Sequence, residues 1–313
     1  MVGILAQLVA MIFYYLKTKK PFFKWFFVVL LFIFFGACGS SRSVENRIIH
    51  ADSIIVSSQL TPLSIKTPYF ALQTAYNFSE PMSLLTVYIE GDGRSWVSRN
   101  QLSSNPTPIN PLALHLASIH AQQQASASVA WIARPCQYQP TKGDINCESK
   151  YWSSHRFDKK VIESTNVAID QLMQKSGATN VRLIGFSGGA AVAILAAVER
   201  DDVESIVSIA GNLDHRQVNE FHGVTPLRGS LNPKDVATQL SSIPQVHFVG
   251  ASDKVIPSVV VDDFIKVQAN NCAQKVVVIN AGHIDGWIDY WPTVVNGLDD
   301  RLSCSKYELS ISF

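Results

Sequence analysis

Three side chains in this 313-residue chain stand in an order that could transfer an acyl group: the serine of Gly185-Phe186-Ser187-Gly188-Gly189, the aspartate of Gly250-Ala251-Ser252-Asp253 and the histidine of Gly282-His283. A serine hydroxyl is a weak nucleophile at neutral pH until a base takes its proton, and a histidine serves best when a carboxylate fixes its tautomer. Ser187 is therefore read as the nucleophile, His283 as the general base and Asp253 as the acid that orients the histidine. Asp214, in Ala210-Gly211-Asn212-Leu213-Asp214, is the rival for the acid. Asp285 is too near His283 in sequence to reach its ring easily and is expected to hold the loop.

These residues must be presented by strand ends, because in an open parallel sheet a ligand site lies beyond the carboxyl ends of the strands. The pattern supplies short β-branched runs alternating with longer helical stretches. Strands are expected over 53–56, 69–76, 84–89, 128–133, 181–184, 203–209, 245–249 and 275–279, and helices near 110–122, 157–175, 189–200, 233–241, 258–270 and 287–298. The fold class is α/β, a mostly parallel sheet with helices on both faces, and the two early strands with no helix between them indicate an antiparallel edge. Each chemical residue then follows a strand: Ser187 the run ending at Ile184, Asp253 the run ending at Val249, His283 the run ending at Ile279. Residues 212–232 are the long irregular insertion late in the chain, so any lid is expected to be minimal.

A G-x-S-x-G between strand and small-residue helix, followed by G-x-x-D-x-x-x-P at Gly250–Pro257, a strand and then Gly282-His283, resembles the nucleophile elbow, acid loop and histidine loop of the α/β-hydrolase family. The resemblance covers about residues 69–298. It implies a serine esterase type of activity without metal or organic cofactor, and an oxyanion hole made by two backbone N–H groups, one from Gly188. The other is assigned to Asp92, in Val87-Tyr88-Ile89-Glu90-Gly91-Asp92-Gly93, with Gly93 as the neighbouring register; Glu90 stands where many relatives carry a histidine. The loop leaving the fourth strand at Arg134-Pro135-Cys136 is expected to form one wall of the site. Pro226–Pro233, similar to a segment of bacterial hydrolase lipoproteins, is expected to form the other. Trp96, Trp152, Trp287 and Trp291 read as core before they read as pocket lining.

The N-terminal 37 residues hold four lysines, no acidic residue and an all-apolar run from Phe26 to Phe35, which is the make-up of an export signal. Phe35-Gly36-Ala37-Cys38 follows, and it resembles the lipobox of bacterial lipoproteins, which implies cleavage before Cys38 and its acylation. The expected organisation is a signal peptide over 1–37, a tether over 38–50 and a hydrolase domain over 51–313, lipid-anchored in the cell envelope with the outer membrane favoured. Without the four lysines the balance is 22 basic to 25 acidic residues, or −3, which argues against a nucleic-acid partner. Four cysteines remain, and of three possible connectivities the sequential one, Cys136–Cys147 and Cys272–Cys304, closes the most local loops. Their spacing does not suggest zinc.

The expected partner is thus a small-molecule or lipid acyl substrate, and the expected reaction is hydrolysis of an ester or related acyl bond. The alternative from a different class is a hydrolase-fold lipoprotein that has lost turnover and serves as a binding or assembly module.

Overall fold

A computed structural model describes residues 43–78, 83–139, 146–269 and 272–304. Cys38 and the expected signal segment lie outside them. The first described element, helix α1 (Val44–Ser57), departs from the sequence expectation twice. Residues 44–50, read as tether, form its first turns, and 53–56, read as a strand, form its last. The β-branched Ile54-Ile55-Val56 run suggested a strand, but Arg47, Ala51, Ile54 and Ile55 fall on one helical stripe and are buried together. Arg47 donates through Nη1 to the carbonyl of Thr107.

After α1 come β1 (Thr61–Lys66), β2 (Ala71–Asn77), β3 (Leu84–Ile89), the short hairpin β4 (Trp96–Ser98) and β5 (Gln101–Leu102), α2 (Leu112–Gln123) and β6 (Ser128–Ile132). A 3₁₀ turn at Ser149–Trp152 leads to α3 (Lys159–Ser176), β7 (Asn180–Phe186), α4 (Gly188–Ala197), β8 (Val203–Ile209) and α5 (His215–His222). A second 3₁₀ segment, Pro233–Leu240, precedes β9 (Gln245–Gly250), α6 (Val259–Gln268), β10 (Ala273–Val278), α7 (Trp287–Asn296) and α8 (Leu298–Arg301).

The main sheet runs β1-β2-β6-β3-β7-β8-β9-β10. From β6 to β10 every pairing is parallel, whereas β2 is antiparallel to both β1 and β6. The antiparallel edge is as expected, but its outer strand is β1, where the polar Thr61-Pro62-Leu63-Ser64 start concealed a strand. Pro62 is tolerated because an edge strand has one side free of ladder bonds.

Apolar side chains fill both faces. Val161, Ile169, Leu172, Val192, Ile206, Val260 and Phe264 gather on one, beneath α3, α4 and α6. Leu112, Leu116, Trp131, Phe248, Trp287 and Trp291 gather on the other, beneath α1, α2 and α7. Parallel strands buried on both faces read as continuous hydrophobic runs, which is why β7, β8 and β9 were legible without alternation. Helix α4, Gly188-Gly-Ala-Ala-Val-Ala-Ile-Leu-Ala-Ala197, is buried along its whole length, and its small residues let it lie close on the sheet. The stretch 212–232 is not wholly irregular: Asp214 caps α5 by accepting from Arg216 N–H at 3.1 Å and Gln217 N–H at 3.4 Å. Among the described residues no helix is long and apolar enough to cross a membrane.

Candidate active site

Strand β7 ends at Phe186, and the chain reverses within one residue to enter α4. Ser187, at the turn, has φ 53° and ψ −118°, a conformation that costs a residue with a Cβ of order 1–3 kcal/mol and persists only where the surroundings enforce it. Here they do. Ser187 N–H donates to the Ile209 carbonyl at 2.9 Å, and its own carbonyl accepts from Asn212 N–H at 3.0 Å, so the end of β8 grips the turn from both sides. A Cβ on Gly185 would overlap the backbone of Ala190, and one on Gly189 would overlap the carbonyls of Ile89 and Glu90. The two glycines of the motif are thus fixed by the close approach of strand and helix.

The loops after β9 and β10 bring the other two residues to the serine. His283 Nε2 lies 3.1 Å from Ser187 Oγ, and His283 Nδ1 lies 2.9 Å from Asp253 Oδ2. The other carboxylate oxygen of Asp253 accepts from Val255 N–H at 2.7 Å and Ile256 N–H at 2.9 Å. Burial pushes the Asp253 carboxyl up, but the His283 bond and charge and the two amides outweigh it, so the group stays below its ordinary value. The histidine loop is itself held: Trp287 Nε1 donates to the Gly282 and His283 carbonyls at 3.0 and 3.1 Å, and Gly282 N–H to the Asp285 carbonyl at 3.0 Å. Asp285 holds the loop through its backbone, in keeping with its expected part. Asp214, the rival acid, is directed elsewhere, with Oδ1 accepting from Asn232 Nδ2 at 3.0 Å and Oδ2 lying 3.2 Å from Lys234 Nζ.

On the far side of Ser187 the loop after β3 comes against the start of α4. A Cβ on Gly188 would overlap the Asp92 carboxylate, which sets residue 92 beside residue 188. Neither the Asp92 nor the Gly188 N–H has an acceptor among the described residues. Asp92 Oδ1 is 3.1 Å from Arg134 Nη1, and its Oδ2 is 2.7 Å from Arg156 Nη1. Burial pushes this carboxyl up as well, and the guanidiniums of Arg156 and Arg134 reverse that and hold it below the ordinary range.

Glu90, where the resemblance has a histidine, is 1% exposed and works as a hub. Oε1 accepts from Gly91 N–H at 3.1 Å and Ala113 N–H at 3.3 Å; Oε2 accepts from Leu114 N–H at 3.3 Å and Trp131 Nε1 at 3.1 Å. It ties the Gly91-Asp92 turn to the N-terminus of α2, where the preceding Pro111 offers no side-chain cap. Burial drives its carboxyl up to about 7 against the pull of these four donors.

The segment expected as the second wall, Pro226–Pro233, is tied to the bend before α3. Ser230 Oγ donates to the Ser154 carbonyl at 3.0 Å and accepts from Phe157 N–H at 3.1 Å, while Leu231 N–H donates to the Phe157 carbonyl at 3.0 Å. Cys136 is bonded to Cys147 and Cys272 to Cys304. Trp152, Trp287 and Trp291 are core, and Trp96 stands on the β4–β5 hairpin at 46% exposure. Arg134 was legible as a residue following a strand, but its pairing with Asp92 was not. Arg156 carried no signal, since it lies in a bend with no motif around it. Among the described residues no three His, Cys, Asp or Glu side chains converge as a metal site would require.

The profile of a family described as serine hydrolase (FSH1) matches residues 105–284. No curated protein matches the chain in sequence. Among solved structures, an esterase of Pyrococcus furiosus superposes with a TM-score of 0.56 at 13% identity, covering 80% of this chain and 96% of its own. An α/β serine hydrolase of Xanthomonas campestris described as lacking a lid gives 0.50 at 13%, covering 79% and 96%. A serine hydrolase homologue from Coxiella burnetii gives 0.50 at 14%, covering 77% and 97%. At such identities these neighbours speak to fold alone, and the fold is that of the α/β hydrolases with a minimal lid.

Proposed function

Because the chain belongs to the serine hydrolase (FSH1) family, we propose that it cleaves an ester or related acyl bond through an acyl-enzyme formed on Ser187. The observation that carries this reading is the unbroken path of hydrogen bonds from Ser187 Oγ through the two nitrogens of His283 to Asp253. As Oγ attacks the substrate carbonyl, His283 Nε2 takes its proton, and the Asp253 carboxylate stabilises the resulting imidazolium through Nδ1–H. The carbonyl oxygen becomes an oxyanion and is met by the N–H groups of Gly188 and Asp92, two residues that lie beside each other and whose N–H groups have no other acceptor among the described residues. His283 returns the proton to the departing alkoxide, leaving the acyl group on Ser187. Water, deprotonated by His283, then attacks the acyl carbonyl, and the serine leaves with that proton.

In the same proposal the chain is exported and held at a cell-envelope membrane through acylated Cys38, a reading supported by the lipobox-like Phe35–Cys38 and by the two cysteine pairs. Loss of palmitate labelling in Cys38→Ser tests the anchor. For the chemistry, the wild-type chain is incubated with a fluorophosphonate probe beside Ser187→Ala. Labelling of the wild type alone is expected. A folded wild type that takes no label would overturn the proposal.

A further inference from the structure

One carboxylate, Asp92, stands between two guanidiniums, and all three side chains are 16% exposed or less. Glu90, the other carboxylate whose charge Arg134 feels, is occupied by its four donors.

The two arginines are used differently. Arg134 is spent inward: Nη1 on Asp92, Nη2 on the Arg156 carbonyl, its plane over the Phe157 ring at 5.5 Å, and its Nε sealed away without a partner. Arg156 gives Nη1 to Asp92 and Nε to the Ser153 carbonyl at 2.9 Å. Its Nη2 has no acceptor among the described residues and, unlike Arg134 Nε, is not buried from solvent. The carboxylate it leans on touches the space over Gly188 Cα, one residue from Ser187 Oγ. The backbone around it is fixed too, since Ser230 clasps Ser154 and Phe157 on either side of the bend. A guanidinium pinned at two nitrogens with the third open has already lost the freedom that binding an anion would otherwise cost.

We propose that Arg156 selects an acyl substrate bearing a carboxylate within a few bonds of the scissile carbonyl, received by the free Nη2–H. This deepens the hydrolase reading and rests on it. A charge-assisted hydrogen bond of this kind favours the charged substrate by about tenfold to a hundredfold over a neutral one of the same shape.

The test uses two matched pairs of esters: 4-nitrophenyl hemisuccinate against 4-nitrophenyl butyrate, with the charge on the acyl side, and 4-acetoxybenzoate against phenyl acetate, with the charge on the leaving group. The quantity read is the ratio of kcat/KM within each pair, for the wild type, Arg156→Gln and Arg156→Lys. The expected result is a wild-type ratio that favours the anion in one pair, falls at least about tenfold in Arg156→Gln and is partly kept in Arg156→Lys. A ratio that moves less than about threefold in both variants, whatever happens to the absolute rates, overturns the proposal. So does a wild-type preference for the neutral member of both pairs. Binding of the hemisuccinate ester to Ser187→Ala, with and without Arg156→Gln, is measured alongside by calorimetry. Arginine-dependent binding without any turnover in the wild type would sink the hydrolase reading and leave the anion site standing.

Discussion

On one side of Ser187 a carboxylate is bonded to a histidine; on the other a carboxylate is bonded to two arginines. Asp253 and Asp92 are both well buried, and both are held below the ordinary carboxyl range by a cationic or potentially cationic partner. The partners differ in whether they can let go of a proton. In the proposed reaction the imidazole gains and loses one, so the charge of Asp253 would matter when His283 becomes an imidazolium. A guanidinium stays charged throughout, so Asp92 is part of a fixed framework. In the proposed mechanism these two buried acids, one bonded to the histidine beside Ser187 and one lying against Gly188, serve rate in one case and architecture in the other.

Breaking the first side should cost activity and little stability. Ser187→Ala is expected to lower kcat by about 10⁶ with an unchanged melting temperature. Asp253→Asn should lower kcat by about 10⁴, since the wrong histidine tautomer is then favoured. Asp214→Asn, which touches the cap of α5, Asn232 and Lys234 but neither Ser187 nor His283, should stay within about threefold and lose about 1 kcal/mol. A rate loss in Asp214→Asn as large as that in Asp253→Asn would erase the contrast.

Breaking the second side should do the reverse first. Asp92→Asn leaves two buried guanidiniums facing each other with no carboxylate, and removing one partner of a buried ion pair costs about 3–5 kcal/mol. For a domain of this size that is a fall of about 10 °C in Tm, read by calorimetry with and without a phosphonate bound. If Asp92→Asn melts like the wild type while losing rate as Asp253→Asn does, the division of labour drawn here is wrong.

A smaller effect sharpens the comparison through pH. Glu90 in the folded chain titrates at about 7, above its ordinary 4.5, because of burial. The folded form therefore binds that proton more tightly than the unfolded one, and stability declines as pH rises from about 4.5 to about 7, by up to about 3 kcal/mol. Asp92 works in the opposite sense: its folded value is lowered, so its contribution is complete above the unfolded value and is lost as pH falls through the folded one. Urea midpoints taken between pH 5 and 8 should decline in the wild type and flatten in Glu90→Gln. Glu90→Gln should also lower kcat by about tenfold with KM nearly unchanged, since an amide cannot accept from four donors and the turn carrying Asp92 loosens.

How much of this was readable from the sequence follows the same division. The His283 side is written in short, local spacings: a glycine-flanked serine after one strand, an aspartate after the next but one, a histidine after the last. Each lies within a few residues of a β-branched run that marks a strand end. The Asp92 side is assembled from residues 90–92, 134, 156, 188 and 230, which no spacing relates, because the sheet order β6-β3-β7 and the bend before α3 are what bring them together. Asp92 was singled out for its N–H, and its side chain turned out to have a second occupation. The errors at the N-terminus have a local cause. Ile54-Ile55-Val56 has strand propensity, and only the burial of Ala51 and Arg47, one and two turns earlier respectively, turns the balance to helix. In β1, an edge strand half open to solvent, the alternation that would have announced it is faint.

The contact between Gly188 and Asp92 also constrains how this lineage could vary. Because the carboxylate fills the volume a Cβ would need, an alanine at position 188 would displace the Asp92 side chain from its place between Arg134 and Arg156. The two positions lie 96 residues apart, so a methyl group gained at one is felt by the ion pairs of the other. The absent methyl group at position 188 is thus part of what holds the charged side of this site in the arrangement described.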